Sequence, residues 1–327
     1  MLKTILAPTA AALVAAGVAA IAIATQIPSA DSERPVRTAC ASGAELQTGL
    51  SAHRLETGGR ERAYRLYVPH DHAGDAPIPL VVDLQASGVS PEIEFAISGL
   101  EDAAERNGFA VLLPEAVTPF PSGGHTWNVP ASPDGPDDVA FIAAAIDDAA
   151  GRACVDETRV YAVGFSGGGR MASELACRTP ERFAAIGAVG GLRHPGGARA
   201  CRRADPAVSI IAFHSVDDPI NPYRYEAGAA PPYWTHGVDE ALSRWAATNG
   251  CAARPVVERA SARAERIVYD DCRGGGRVVL HRLSGSGHVW PGSGFAFPER
   301  LGAPEPEIAA TPMIVDFLSR YERRPER

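Results

Sequence analysis

The feature that most constrains this chain is a serine held between two glycines where an apolar run meets a helical one. Val160–Phe165 has the composition of a buried strand, and Gly167–Arg178 has that of a helix. Ser166 lies between them in the pattern Gly164-x-Ser-x-Gly168. A strand–turn–helix of this kind lifts the serine hydroxyl above the sheet and points helix amides at any charge that forms beside it. The segment predicts a nucleophile, with an ordinary Gly-rich turn as the alternative.

A serine nucleophile needs a base, and the base needs a carboxylate to orient it. After this kind of turn the acid precedes the histidine along the chain. Val208–Phe213 is a second apolar run, and the acidic pair Asp217 and Asp218 follows it. Val278–Leu283 is a third, and it leads into a Gly-rich loop that carries His288. We therefore predict Asp218 as the acid and His288 as the base, with Asp217 as the competing acid.

Three segments together resemble a known family. Gly164–Ala172, His214–Tyr223 and Gly285–Gly292 are similar to motifs of secreted α/β-hydrolase esterases, the group of polyhydroxybutyrate-depolymerase-like and feruloyl or acetylxylan esterases. The acid motif of that family, His-Gly-x-x-Asp-x-x-x-Pro-Tyr, places its aspartate at Asp218, and the histidine motif, Gly-His-x-Trp-Pro-Gly, falls on His288. The resemblance implies a secreted serine esterase that needs no cofactor and no metal.

The order of the predicted elements indicates an α/β fold with a mostly parallel, doubly wound sheet flanked by helices. Apolar runs and helical runs alternate along the chain. Strands are predicted at Arg62–Pro69, Leu80–Leu84, Phe109–Leu113, Val160–Phe165, Phe183–Val189, Val208–Phe213 and Val278–Leu283, and helices at Pro91–Asn107, Asp137–Ala150, Gly167–Arg178, Asp239–Asn249 and Ile308–Tyr321.

One segment departs from the family pattern. The family has Leu-His-Gly after its second core strand, where this chain has Gln85 and Ala86 after Leu84. An oxyanion hole uses main-chain donors, so we predict one from Gly167 and a second from Ala86 or Ser87. A positive φ at Ala86 would be strained. In that case, restoring the family's His-Gly would raise kcat/KM, on the order of tenfold at most.

The N-terminus has the features of a targeting segment. Lys3 supplies a positive charge, and an Ala-rich apolar stretch follows from Ile5 to Ile27. We predict residues 1–30 as a secretory signal, with an uncleaved membrane anchor as the alternative, and residues 31–327 as a single catalytic domain. The protein is then expected outside the cell, or at the cell envelope if the segment is retained.

Six cysteines behind a signal segment predict three disulfides. No C-x-x-C spacing occurs, which counts against zinc. Counting alone leaves every pairing open. Cys251 and Cys272 flank a short excursion and are expected to pair. Positions around the elbow strand favour the pair Cys177 and Cys201, which leaves Cys40 with Cys154.

Aromatic residues near the predicted site suggest a substrate pocket. Trp127 and Tyr223 lie in two long Gly/Pro-rich loops, and Trp290 follows the predicted base. We predict that all three line the pocket, with coverage of the core as the alternative. The formal net charge of −8 argues against nucleic acid as a partner. The expected partner is an ester, either a small molecule or one linked to a polysaccharide or polyester. A membrane is expected only with a retained anchor.

Two other functions remain open. The altered Gln85–Ala86 segment is compatible with a weakly active or non-catalytic cell-envelope binding protein on a hydrolase scaffold, although an intact serine, aspartate and histidine argue against it. A peptidase or lipase on the same fold is the second. The sequence has no extended apolar lid and no propeller repeat, which counts against both of these enzymes.

Overall fold

A ten-stranded sheet organises the part of the chain that the computed structural model describes, residues 40, 46–196, 201–303 and 307–323. These residues all belong to one unit, Val36–Arg327. The predicted signal segment, residues 1–30, lies outside the described residues. The strands of the sheet are β1 (Gly49–Thr57), β2 (Arg60–Val68), β3 (Ile78–Leu84), β4 (Ala110–Pro114), β7 (Val155–Phe165), β8 (Ala185–Val189), β9 (Ser209–Ser215), β10 (Val256–Arg259), β11 (Ala264–Tyr269) and β12 (Val278–Leu283), and a separate hairpin comprises β5 (Thr118–Pro119) and β6 (His125–Thr126).

Six central strands run parallel to one another, in the order β4, β3, β7, β8, β9 and β12. At one edge β2 and β1 continue the sheet antiparallel, and at the other edge β11 and β10 do the same. Parallel strands need crossover connections, and helices supply most of them here. The predicted α/β class, with a mostly parallel sheet flanked by helices, is confirmed.

In the part of the chain that the structure describes, six α-helices cover the two faces of the sheet. They are α1 (Pro91–Ser98), α2 (Leu100–Asn107), α3 (Asp138–Ala153), α4 (Gly167–Arg178), α5 (Val238–Asn249) and α6 (Ala310–Leu318). The sequence predicted one helix over Pro91–Asn107. Two form instead because Gly99 adopts a left-handed conformation at φ 61° and ends the first.

The core forms two layers, one on each face of the sheet. The first contains α3, α4 and α5, and the second contains α1, α2 and α6. Along β3, Leu80 and Val82 pack in the first layer, whereas Val81 packs in the second. Because both faces are covered, each central strand contains an apolar run, which is why these strands could be predicted from the sequence.

Three disulfides join Cys40 to Cys154, Cys177 to Cys201 and Cys251 to Cys272. These are the pairings that the sequence favoured. Each restricts the unfolded chain, and the first closes the longest loop, with 114 residues of separation. Within the described ranges, no helix combines the length and apolar character needed to cross a bilayer.

The carboxyl ends of the parallel strands meet at one edge of the sheet, where α/β proteins place their ligands. Six loops leave that edge, one from each parallel strand, and four of them carry the predicted site residues. These four carry Ser87 after β3, Ser166 after β7, Asp218 after β9 and His288 after β12. The topology therefore gathers residues that lie far apart in the sequence.

Candidate active site

Ser166 occupies a backbone conformation that few residues adopt. Its φ is 52° and its ψ is −108°, between the end of β7 and the first residue of α4. The flanking glycines make this turn possible. A Cβ on Gly164 would lie 2.4 Å from the carbonyl carbon of Gly168, and a Cβ on Gly168 would lie 1.8 Å from the Leu84 oxygen. The strand and helix are too close at this turn for any side chain, as the sequence pattern predicted.

His288 packs beside this turn. Its ring stacks on Phe165, the residue before Ser166, with centroids 4.8 Å apart and planes inclined by 29°. A Cβ on Gly190, which follows β8, would lie 3.3 Å from His288 Cε1. Glycine at that position therefore leaves room for the imidazole. The loop after β12 brings the predicted base next to the predicted nucleophile.

Asp218 forms a hydrogen bond with the Nδ1 nitrogen of His288. The distance between His288 Nδ1 and Asp218 Oδ2 is 2.7 Å. The other carboxylate oxygen, Oδ1, accepts the backbone N–H groups of Ile220 and Asn221, each at 2.8 Å. Burial opposes ionisation of Asp218, but the hydrogen bond with His288 and the Asn221 amide outweigh it and hold the pKa of Asp218 below its usual value. The group is therefore a carboxylate at neutral pH.

Asp217, the competing acid, takes a different place. Its Oδ2 accepts the backbone N–H of Gly285 at 2.6 Å, which fixes the start of the loop that carries His288. His214, the first residue of the acid motif, is buried. Its Nε2 donates to the Asn221 carbonyl at 2.8 Å, and burial lowers its pKa. His214 therefore supports the acid loop as a neutral ring, and Asp218 is the carboxylate that meets His288.

Of the two alternatives predicted for the second oxyanion donor, Ala86 and Ser87, the structure excludes Ala86. Ala86 donates its N–H to Glu94 Oε2 at 2.9 Å, inside the protein. The prediction for Ala86 is therefore corrected in favour of Ser87. A Cβ on Gly167 would lie 3.0 Å from the Ser87 nitrogen, so the backbones of Ser87 and Gly167 adjoin at the start of α4. Ala86 does not have a positive φ, so its backbone is not strained in the way that the sequence suggested.

Gln85, which stands where the family has histidine, holds this loop in place. Its Oε1 accepts the Ala116 N–H at 3.0 Å, and its Nε2 donates to the Val89 carbonyl. Its own carbonyl accepts the indole N–H of Trp127 at 2.9 Å. Three connections therefore fix the backbone that leads to Ser87.

Two of the three aromatic residues predicted for the pocket lie in the core instead. Trp290 has no exposed surface and donates to Thr311 Oγ1 at 2.9 Å, and Trp127 is 2% exposed. The pocket prediction is wrong for both, because each indole is part of a core layer and supports a loop from within. Tyr223 donates its hydroxyl to Asp239 and borders a cavity of about 790 Å³ that Asp218 also lines, so the pocket prediction stays a prediction for Tyr223.

Two buried charged residues at this edge escape sequence reasoning. Glu94 lies on α1, where acidic residues usually face solvent, so no pattern marks it. Arg170 lies in the first turn of α4. An arginine at that position is unusual and could have been noticed in the sequence, since the N-terminus of a helix favours negative rather than positive charge. No cluster of three or more side chains suited to a metal ion occurs among the described residues.

A strained serine elbow, a buried histidine–carboxylate pair and paired backbone amides on a parallel sheet define the α/β-hydrolase class of ester hydrolases. The chain belongs to the family described as esterase PHB depolymerase, whose model matches residues 62–221. It is 31% identical to NocK of Nocardia uniformis subsp. tsuyamanensis, a protein named as an esterase, over 287 residues that cover 82% of each chain. The protein is a carboxylic ester hydrolase.

Two further similarities fit this assignment. Feruloyl esterase B of Piromyces equi is 28% identical over 229 residues, which cover 68% of this chain but only 41% of that relative. The solved acetyl xylan esterase of Aspergillus awamori superposes with a TM-score of 0.54 at 18% identity, over 73% of this chain and 94% of that one. At that identity the structural likeness concerns the fold.

Proposed function

We propose that this protein is a secreted serine esterase that forms an acyl-enzyme on Ser166. The observation that carries the proposal is the 2.7 Å contact between His288 Nδ1 and Asp218 Oδ2, with the imidazole stacked on the residue before Ser166. This arrangement leaves His288 Nε2 as the nitrogen able to take a proton from the serine, because Nδ1–H is held by the carboxylate.

The proposed reaction has two halves. Ser166 Oγ attacks the ester carbonyl while its proton passes to His288 Nε2, and the carbonyl oxygen becomes an oxyanion beside the N–H groups of Gly167 and Ser87. The oxyanion collapses, the bond to the alcohol oxygen breaks, and His288 gives its proton to that oxygen. Water then repeats the sequence on the acyl-enzyme and releases the acid. Asp218 stays ionised and stabilises the imidazolium in both halves.

The relatives suggest the substrate class. The family is described by polyhydroxybutyrate depolymerase, and one relative is named a feruloyl esterase. We propose feruloyl, acetyl or short hydroxyalkanoate esters for this chain. The site itself contains no feature that requires a polymer. Hydrolysis of p-nitrophenyl acetate, butyrate and palmitate and of methyl ferulate would rank these classes, and casein would test for a peptidase.

Two outcomes of that screen would redirect the proposal. Preference for palmitate over acetate and butyrate would favour a lipase. A folded protein that hydrolyses none of these esters and reacts poorly with a serine-directed phosphonate would favour a binding protein on this scaffold. The expected outcome is turnover of the short esters, with a fluorophosphonate or aryl phosphonate attached to Ser166 alone in the mass spectrum.

Secretion and the single catalytic domain form part of the proposal. Three disulfides support an oxidising compartment. Expression of the full chain in a secreting host, followed by mass spectrometry of the N-terminus, tests it. A mature protein that begins near residue 31 is expected. Recovery of the intact chain in the membrane fraction would replace the signal with an anchor.

A further inference from the structure

Arg170 is a buried cation beside the proposed oxyanion hole. The residue is 5% exposed and lies one turn after Ser166, whose carbonyl accepts its backbone N–H at 3.1 Å. Helical side chains lean toward the N-terminus of their helix, so the guanidinium extends back over the first turn of α4. A Cβ on Gly167 would lie 3.4 Å from Arg170 Nη2 and 2.4 Å from Ser87 Oγ. The guanidinium and the two proposed oxyanion donors therefore share one small region.

The charge on Arg170 has little to balance it. Nη2 donates to Ser87 Oγ at 3.3 Å and Nη1 to Asn221 Oδ1 at 3.5 Å, both long and both to neutral acceptors. Nε has no partner. Within the described ranges, none of the ion pairs involves Arg170. Buried charges are otherwise paired, because an unpaired one is expensive to remove from water.

Neighbouring groups add positive charge around Arg170 rather than negative charge. Burial first, and the nearby charge of Arg193, lower the pKa of Arg170 to about 10, which still leaves it protonated at neutral pH. The N-terminus of α4 adds the positive end of the helix dipole, and no acidic residue occupies its first turn. Among the described residues, Tyr233 offsets part of this charge: its ring centroid lies 4.1 Å from the guanidinium carbon, and its side chain raises the pKa of Arg170. Such a contact is worth less than an ion pair.

Tyr233 also shows how a ligand could reach the site. The residue belongs to the long loop after β9, and it is only partly buried, whereas Arg170 is buried. The ring of Tyr233 therefore lies over the guanidinium on a side that a surface loop provides. Displacement of one aromatic side chain would open the guanidinium to a group attached to an ester that is already seated at Ser166.

We propose that Arg170 binds an anionic group, a carboxylate above all, carried by the ester substrate close to the scissile bond. This inference rests on the proposed function and narrows it to acidic esters. A carboxylate beside Arg170 would supply the missing counter-charge and accept two parallel N–H bonds from the guanidinium, and it would gain from the helix N-terminus. Neutral esters would leave the cation unpaired in the Michaelis complex.

The test compares charged esters with neutral partners of almost the same shape. On the acyl side, mono-p-nitrophenyl glutarate is paired with its methyl ester, after subtraction of the uncatalysed rate. On the alcohol side, p-carboxyphenyl acetate is paired with p-methoxycarbonylphenyl acetate. In the wild type we expect kcat/KM to favour the charged member of one pair by roughly tenfold to a hundredfold, as charge-assisted hydrogen bonds would give.

Substitutions then assign the preference to Arg170. Arg170→Gln should reduce the ratio of charged to neutral kcat/KM by at least about tenfold, and Arg170→Lys should retain part of it, since lysine keeps the charge but loses the fork. Arg178→Gln is the matched control, because Arg178 lies on the same helix and pairs with Asp137 at the surface. It should leave the ratio unchanged.

The outcomes separate this inference from the proposed function. If wild type hydrolyses both neutral esters through Ser166 but favours neither charged partner, the anion site is refuted and the esterase stands. An unchanged ratio in a folded Arg170→Gln variant refutes it as well. If Ser166→Ala keeps full activity on the neutral esters, the proposed function fails first. Should Arg170→Gln not fold, the wild-type ratios alone still decide.

Discussion

Asp83 and Glu94 are two buried carboxyl groups close enough for the charge of Asp83 to act on Glu94, and Asp83 lies on the strand that leads to Ser87. Burial raises the pKa of Glu94 well above its usual value, and the charge of Asp83 raises it further. The amides of Ala86 and Phe165 act in the opposite direction on the same group. Glu94 thus lies against the residue before Ser87 and the residue before Ser166, and it connects the two strand ends that build the proposed site.

Glu94 is therefore expected to position the oxyanion loop rather than to touch substrate. Glu94→Gln keeps a carbonyl acceptor for the Ala86 N–H and should retain most of the activity on p-nitrophenyl acetate. Glu94→Leu leaves that N–H buried and unpaired, which costs about 1–3 kcal/mol of stability. In the leucine variant kcat should fall by about tenfold or more while KM changes little. Urea unfolding and steady-state kinetics on both variants measure these effects, and a leucine variant with wild-type kcat would contradict the role.

Asp83 is expected to make stability depend on pH. Burial raises its pKa to about 7, and the hydrogen bond from Ser98 offsets only part of this rise. From about pH 4 to 7 the folded protein keeps a proton that the unfolded chain has lost. The free energy of unfolding must then fall with pH, by at most about 1.4 kcal/mol per unit for this group.

Asp83→Asn removes that titration. The free energy of unfolding of the variant relative to wild type should rise between about pH 5 and 7 and level off above. The substitution also removes the charge that raises the pKa of Glu94, and this changes the free energy of unfolding in the same direction. The subtraction cancels groups with the opposite trend, such as His281, whose pKa burial lowers to about 4. Urea unfolding across this range supplies the data, and a difference that does not vary with pH would rule out the buried titration.

Replacement of Ser166 by alanine should abolish turnover of p-nitrophenyl acetate and leave the fold intact. Ser166 is buried but belongs to neither core layer, and the neighbouring glycines permit the strained backbone at this position. Circular dichroism and the unfolding midpoint serve as the folding control. Retention of more than a small fraction of wild-type activity in the folded variant would remove Ser166 as the nucleophile.

The two adjacent aspartates should respond differently to amidation. Asp218→Asn loses the carboxylate that accepts from His288 Nδ1 and favours the wrong tautomer, a change that costs about 10⁴ in kcat in a comparable triad. Asp217→Asn keeps an oxygen for the Gly285 amide and should change kcat by less than about fivefold. Steady-state kinetics on both proteins decides the assignment, and a reversal of the two effects would move the acid by one residue.

Apolar runs allowed the central strands to be predicted from the sequence, because these strands are covered on both faces. The sequence did not predict β1 and β10, the two edge strands, or β11, which lies next to β10. All four residues of β10 are exposed, so its sequence carries no buried pattern, and it forms because β11 offers a free edge to pair with. The three proposed catalytic residues, Ser166, Asp218 and His288, could be predicted because each follows a recognisable run and has a residue type suited to its role.

The environment of the site could not be predicted in the same way. Trp127 and Trp290 were assigned to the pocket because aromatic residues in loops near catalytic residues often line one, but their indoles point into the core. Glu94 and Arg170 matter because of burial, and burial of a single polar residue depends on packing from several distant segments. That information resides in the assembled structure and has no local signature.

The last prediction concerns Gln85 and Ala86, where this chain departs from its family. The sequence suggested that Gln85→His with Ala86→Gly would raise kcat/KM up to about tenfold by relieving strain. The structure changes that expectation. Ala86 has no positive φ, so glycine relieves nothing and lowers stability by about 0.4–1 kcal/mol through the unfolded chain. The Gln85 side chain accepts from the Ala116 N–H and donates to the Val89 carbonyl at the same time. The nitrogens of a histidine ring are placed differently, so histidine would not make both hydrogen bonds.

We therefore expect the double variant to show kcat/KM for p-nitrophenyl acetate no higher than about twice the wild-type value, with a lower unfolding midpoint. The single variants separate the causes: Ala86→Gly should lose a little stability, and Gln85→His should lose more, because it leaves the buried Ala116 amide without its acceptor. A rise of tenfold or more in the double variant would mean that Ser87 does not complete the hole. Glycine at position 86 would then be supplying the donor that this protein lacks.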